Sequence, residues 1–430
     1  MTAIHEFARS RRIETTVTYA PPMIRRKSVP VALCALLVTV LPAVGPMPAS
    51  ASDSRAENRM FFTWGARLGG PSLADTAADV AVHKGATYLA GTQRGTGAGR
   101  VVLAKYDDAN GKRVWKRVVK TTTDDDATGV SAGAFGAVVL ADTADGFWVR
   151  RFSAQGKLLW TRSSAAFDGL GPVSGLGIEV IRRTVLVVGA ATGASTRGGD
   201  ARMIARLELK DGAPDGFAAD TDGADSAWTE AARIGTDLAV VGSVTKPGNG
   251  DTRMMVRRFN PLTLVRRWSR SINTTGPDAP GGIAADGKRL YVSGSVGGAA
   301  DGAGGPDFYL RAFRGNGKPL WSRSAGMSGP EPAATVAATP DGPIMVGTLT
   351  SGDDPEGAAS SQVRLYRYEK DGKLRETRTI DGGQYDGVAG VDWDFYGLKV
   401  AGSTRSRLYG SATGSLDMFL AKFAVVIKRK

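Results

Sequence analysis

Cysteine is almost absent from this 430-residue chain. Cys34 stands alone, inside an N-terminal apolar run. From about Ser52 onward there is no thiol, which excludes disulfides, thiol nucleophiles and thiolate metal sites together. Histidine is as scarce: His5 precedes the apolar run, leaving His83 as the one histidine beyond it. The local pattern puts His83 in a surface turn ahead of Gly85. One such histidine supplies neither a triad nor a metal cluster, so histidine-dependent lyase or phosphatase chemistry is disfavoured. No Gly-x-Ser-x-Gly elbow occurs, and Gly95-Thr96-Gly97-Ala98-Gly99 lacks the strand–helix setting of a nucleotide loop. Dense basic runs are missing too, apart from the tail Lys428-Arg429-Lys430, which argues against nucleic-acid binding.

Residues 1–51 read as a targeting segment. The cluster Arg25-Arg26-Lys27 precedes the apolar run Val31 to Val44, and Ala49-Ser50-Ala51 offers small residues for cleavage near Ala51. Pro30 and Pro42 break a run already too short to span a membrane, and Leu33 is too large for a lipoprotein signal at Cys34. Met23 is an alternative start, because residues 1–22 have no place in a signal peptide. The expected organisation is a signal peptide (1–51), a short linker (52–59), one repeat domain (60–427) and a basic tail (428–430) in a secreted protein. The whole chain carries 55 basic and 42 acidic residues. Setting aside the six basic and two acidic residues of 1–51 leaves 49 against 40, an excess of +9 that serves solubility first.

What the chain has in abundance is a repeated phrase. Leu290-Tyr291-Val292-Ser293-Gly294-Ser295 returns as Tyr88-Leu89-Ala90-Gly91-Thr92, Leu186-Val187-Val188-Gly189-Ala190, Ala239-Val240-Val241-Gly242-Ser243, Ile344-Met345-Val346-Gly347-Thr348 and Lys399-Val400-Ala401-Gly402-Ser403. Val138-Val139-Leu140-Ala141-Asp142 is a seventh copy with Ala for Gly. Positions 91, 141, 189, 242, 294, 347 and 402 are spaced 48 to 55 residues apart. A strand-rich unit at that period predicts an all-β, seven-bladed propeller with four antiparallel strands per blade. Eleven residues before each ruler position stand Val80, Val130, Ile178, Ala231, Ile283, Val336 and Val391, flanked mostly by Gly, Ala, Ser or Thr, as an innermost strand near the axis requires. Outer strands carry Trp64, Trp115, Trp160, Trp268 and Trp321, and Phe217 is expected to substitute where the tryptophan is missing. Since Trp64 precedes the first repeat, Phe61 to Trp64 should close the last blade.

The pattern Gly-Gly-x-x-x-x-Asp, small inner strand, hydrophobic-Gly-Ser/Thr, hydrophobic-Ala-Lys/Arg-aromatic, x-Gly-Lys-x-x-Trp resembles the bacterial SBBP-type β-propeller repeat. Gly69-Gly70-Pro71-Ser72-Leu73-Ala74-Asp75 and Leu103-Ala104-Lys105-Tyr106 to Trp115 carry the likeness most clearly. It spans about residues 60 to 425 and implies a secreted or surface-associated propeller without implying a reaction. The Gly-x-x-x-Trp ends are also similar to quinoprotein dehydrogenase repeats, although no quinone clamp or calcium site can be placed.

Asp75, Asp126, Asp225, Asp278, Glu331 and Asp386 recur where the chain approaches each innermost strand. A partial ring of carboxylates there would suit Ca²⁺, a hard cation that takes oxygen ligands from several loops. The preferred reading is plainer: Asp binding local backbone N–H groups in turns, since a structural role explains a whole column where a cation needs two or three acids. Asp211, Asp215, Asp220 and Asp222 form an acidic loop, ascribed to blade four, without EF-hand spacing. Trp228, with Glu230 two residues on, is a stacking platform at the channel mouth or else a packing residue. Trp393, Phe395 and Tyr396 cluster at a hairpin tip where other repeats have Asp-Gly, as a contact patch or as packing against the N-terminal segment.

These readings favour a secreted, monomeric, non-catalytic binding or scaffold protein. Its ligand, a glycan, a cell-wall polymer or another protein, is expected on the face built from the long loops together with the acid column. The alternatives are an extracellular enzyme on the same scaffold, quinoprotein-like or a carboxylate-dependent glycan hydrolase or lyase, and a purely structural surface protein. Two facing carboxylates in a deep pocket would favour the enzyme.

Overall fold

The computed structural model describes residues 59–69, 74–95, 98–119, 123–195, 199–220, 224–246, 251–297, 306–325, 334–350, 360–410 and 416–426. Residues 1–51, read above as a targeting segment, most of residues 52–59, the basic tail, Glu331, Asp222 and parts of the long loops lie outside the described residues.

Alternating apolar residues and Gly-containing turns produce, among the described residues, 28 strands paired into seven four-stranded antiparallel sheets. Within each of the first six blades the strands pair in chain order. The inner strands are Ala74–His83, Asp126–Gly133, Val173–Ile181, Ala224–Ile234, Asp278–Ala285 and Thr335–Thr339, and blade seven adds Asp386–Asp394. Each inner strand touches the next, and that of blade seven returns to blade one. The fourth strand of blade seven is Met60–Leu68, which pairs with Asp417–Val425 from Met60 opposite Val425 to Leu68 opposite Met418. The all-β, seven-bladed fold and its N-terminal closing strand are therefore as the repeat implied.

The core is shared between blades. Val138 and Phe147 of blade two pack with Val185, Val187 and Met203 of blade three. Across the closure, Leu89 and Val102 of blade one meet Met418 and Leu420 of blade seven, with Trp64 and Leu68 from the closing strand.

The tryptophan column is a device that joins blades. Each indole Nε1–H donates to a carbonyl in the outer turn of the following blade: Trp64 to Asp108 (3.0 Å), Trp115 to Ala154 (3.1 Å), Trp160 to Leu209 (3.0 Å), Trp268 to Gly315 (2.9 Å) and Trp321 to Lys370 (2.8 Å). Under each ring sits a glycine of that turn; at Gly317, φ is +82° and an added Cβ would lie 2.8 Å from Trp268. The Gly-Lys step of the repeat is thus a seat for the neighbouring blade's ring.

Blade three departs from this plan, with two corrections to the sequence reading. Phe217 does not replace the missing tryptophan. It pairs with Ala205, whereas Trp115 and Trp160 pair with Lys105 and Arg151, one position further along the third strand. A one-residue shift turns a side chain to the other face of a sheet, and Phe217 is left exposed. The acidic stretch Asp211 to Asp220 belongs to blade three, in and after its outer hairpin turn, and not to blade four.

Candidate functional site

At the axis every blade presents the unpaired edge of its innermost strand, whose N–H groups need acceptors. Small side chains keep this region open, and four positions in the flanks of the apolar column carry carboxylates instead: Asp79, Glu179, Glu230 and Asp392. Asp79 accepts from Val80 N (2.7 Å) and from Val130 N of blade two (3.0 Å). Asp392 accepts from Trp393 N (2.7 Å) and from Val82 N of blade one (2.8 Å), so these two acids stitch neighbouring blades. Ser131 plays a similar part, accepting from Val180 N of blade three at 3.3 Å. Glu179 and Glu230 use one oxygen each, accepting from Val180 N and Ala231 N at 2.9 Å, and neither Oε2 bonds to a described protein group.

All four acids line one cavity of about 530 Å³. Its walls are otherwise small or apolar, with His83, Phe135, Arg182, Arg233 and Trp393 toward the mouth. A β-bulge interrupts the inner strand just ahead of this stretch in six blades, including the steps Ala77/Asp79 and Trp228/Glu230, and bulges re-aim the side chains that follow.

Enclosure by protein sets the electrostatics. Burial pushes Asp79 up to about 7, against the lowering effect of its two backbone hydrogen bonds and with help from the Asp392 charge. Glu179 is likewise raised to about 7 by burial, with Asp392 and Asp79 adding to the rise and Arg233 opposing it. Glu230 is pushed well above the ordinary range by burial, then by the charges of Asp79 and Glu179. Asp392 rises to about 6, its burial partly offset by N–H bonds and by Lys399. Mutual influence of this kind places the acids across one shared space.

A carboxyl whose folded pKa exceeds its unfolded value takes up a proton on folding, so its stabilising contribution is complete below the unfolded pKa and is lost as pH rises. The window here runs from about 4 to about 7. We expect the melting temperature to fall between pH 5 and pH 8, and Glu230→Gln to raise it at pH 8 and flatten the slope. A flat wild-type profile, or a variant less stable than wild type at pH 8, overturns this electrostatic account.

The sequence-predicted positions are dispersed. The described members of the acid column, Asp75, Asp126, Asp225, Asp278 and Asp386, stand at the opposite ends of the inner strands and do not line the cavity. Asp75 accepts from Gln93 Nε2 (3.0 Å), Asp126 pairs with Arg94, Asp225 accepts from Asp200 N (3.2 Å), Asp278 accepts from Thr274 N (3.0 Å), and Asp386 accepts from Ser406 Oγ (3.1 Å). Among the described residues no group of three or more His, Asp or Glu side chains is placed to hold a metal ion. Trp228 is 1% exposed: its ring lies in the core, edge-on to Phe259 and under the guanidinium groups of Arg202 and Arg257, because its strand turns it between blades. Both arginines pair with Asp220. Glu230 lines the cavity, as does Trp393, whereas Tyr396 stands exposed on the hairpin tip beside Phe395. His83 ends its strand at the cavity wall instead of lying in a free turn.

Sequence reasoning missed Asp79, Glu179 and Asp392. Their signal was present as the exceptions in columns otherwise filled by Gly, Ala, Ser and Thr.

No family model matches the chain, and no curated protein matches it. Among solved structures, the endosialidase of phage phi92 is 12% identical, with a TM-score of 0.47 over 87% of this chain and 70% of that one. Extracellular domains 1-2 of Drosophila Semaphorin 1b are 8% identical, with a TM-score of 0.45 over 85% of this chain and 87% of that one. The β-propeller domain of the Trilobed protease from Pyrococcus furiosus is 11% identical, with a TM-score of 0.43 over 83% and 96%.

Proposed function

We propose that the protein is a secreted, non-catalytic glycan-binding propeller whose ligand enters the axial cavity from the tight-turn face, not the long-loop face. One observation carries the reading: Glu179 and Glu230 bring their unused Oε2 atoms to one cavity with Arg233 and Trp393 nearby. Carboxyls can accept from sugar hydroxyls and, where burial raises them as it raises Glu179 to about 7, donate to them as well, and a cavity of about 530 Å³ admits a short oligosaccharide. The apolar run after Arg25-Arg26-Lys27, followed by the small residues Ala49-Ser50-Ala51, supports secretion.

A second reading has its own support. Glu230, pushed well above the ordinary carboxylate range by burial, shares the cavity with Asp392, which burial raises less, to about 6. Carboxyls whose environments separate their pKa values are the usual acid and base of glycoside hydrolysis. Calorimetric titration with soluble cell-wall oligosaccharides, run beside a reducing-end assay, separates the two. Binding without product, weakened at least tenfold by Glu230→Gln, supports the binding module. Product released by the wild type and abolished in Glu230→Gln with binding retained supports the hydrolase. Neither binding nor product rejects both.

A further inference from the structure

The cavity opens on the face formed by the tight inner hairpin turns, and this ring of turns has an unusual surface. Lys84, Arg182, Arg183, Arg233 and Lys288 are exposed there, and none makes an ion pair among the described residues. The acids of the same ring are already engaged: Asp286 with Arg289 (3.6 Å), Asp341 with Arg367 (3.4 Å) and Asp394 with Lys399 (2.6 Å). The outer turns of this face add exposed lysines at the Gly-Lys step of the repeat, Lys112, Lys157, Lys318 and Lys373.

Blade seven ends its inner hairpin differently from the others. Phe395 is 83% exposed and Tyr396 52%, their rings edge to face at 6.0 Å. Tyr396 lies against the Lys84-Gly85 turn of blade one, with its ring 3.9 Å from where a Cβ of Gly85 would be. An aromatic pair and a basic turn therefore share one protruding edge.

We propose that the tight-turn face docks onto an anionic lipid bilayer, with Phe395 and Tyr396 entering the headgroup region and Lys84, Arg182, Arg183 and Lys288 facing lipid phosphates. Cations alone would suit any polyanion. The aromatic tip favours lipid over a soluble polyanion, because the headgroup region takes up the apolar surface of exposed rings while cations at its edge stay with the phosphates. The ring of unneutralised charge supplies long-range attraction to an anionic surface. Docking is independent of what the cavity holds, and it would turn the cavity mouth toward ligands carried at that surface.

The test is co-sedimentation of the protein from Ser52 onward with vesicles of phosphatidylcholine, alone or with about 30% phosphatidylglycerol, at low and high salt. Expected are binding at least about tenfold tighter to the anionic vesicles, and a comparable loss in Phe395→Ser/Tyr396→Ser and in Arg182→Glu/Arg183→Glu. Arg100→Glu, a charge reversal at the opposite face, should bind within about twofold of wild type. Circular-dichroism melts confirm that each variant is folded. Equal binding to both vesicle types, or equal loss in Arg100→Glu, overturns the proposal. Retained vesicle binding in the aromatic variant, with capture of soluble dextran sulfate, assigns the face to an anionic polymer instead and overturns it as well.

Discussion

Asp108→Ala should destabilise the ring by about 3–5 kcal/mol, because it leaves buried charge without its counter-ion. Asp108 lies in the outer turn of blade one, 1% exposed, against blade seven. Its Oδ2 is 2.8 Å from Lys399 Nζ and 3.4 Å from Lys422 Nζ, and Lys399 is wholly buried. Thr87 donates to its other oxygen at 2.9 Å. Its carbonyl accepts from Lys422 Nζ (2.6 Å) and from Trp64 Nε1 (3.0 Å). Asp394 remains for Lys399 at 2.6 Å, so Lys422 is the buried lysine left without a carboxylate. In a domain of this size such a loss lowers the melting temperature by roughly 5 °C. Adding Lys422→Met should recover much of it by removing the stranded ammonium. A loss below about 1 kcal/mol, or no recovery in the double variant, would show that this network does not hold the closure.

Removal of the closing strand should have a larger effect still. A chain beginning at Gly69 loses Met60, Trp64 and Leu68, all buried, together with the ladder to Asp417–Val425. Three such side chains contribute about 1.5–3 kcal/mol each, before any hydrogen bonds, which approaches the whole stability of an ordinary domain. The bared edge would also carry Phe419 and Phe423 on an open strand, an arrangement prone to edge-to-edge association. We expect no cooperative melting transition and aggregation on gel filtration, with partial recovery on adding a peptide of residues 59–69. A truncated monomer that melts cooperatively near the full-length temperature would mean that three strands suffice in blade seven.

Both predictions concern a junction that was half legible in the sequence. Trp64 stood ahead of the first repeat, so the closing strand could be read from column arithmetic. Asp108, Lys399 and Lys422 could not be joined in that way, because residues 291 and 314 apart in the chain meet only when the ring closes. The cavity was legible in a different sense. Glu230 was singled out as a companion to Trp228, yet the strand sends the indole into the core and leaves the carboxylate in the cavity. Asp79, Glu179 and Asp392 were passed over because attention went to the regular acid column. A column shared by most repeats usually serves the repeat, whereas a substituted member is free to serve something else.

Period, strand patterning and turn glycines were enough to specify blade number, strand order and the closing strand, because each of these rests on local contacts that every repeat makes again. The direction in which the cavity opens, the company of its four carboxylates and the bare cations around its mouth were settled only in three dimensions. They depend on side chains from different blades converging on one axis, and on bulges and a single register shift that decide which way a side chain points. A linear pattern with period two carries no record of that choice once one strand has slipped by a residue.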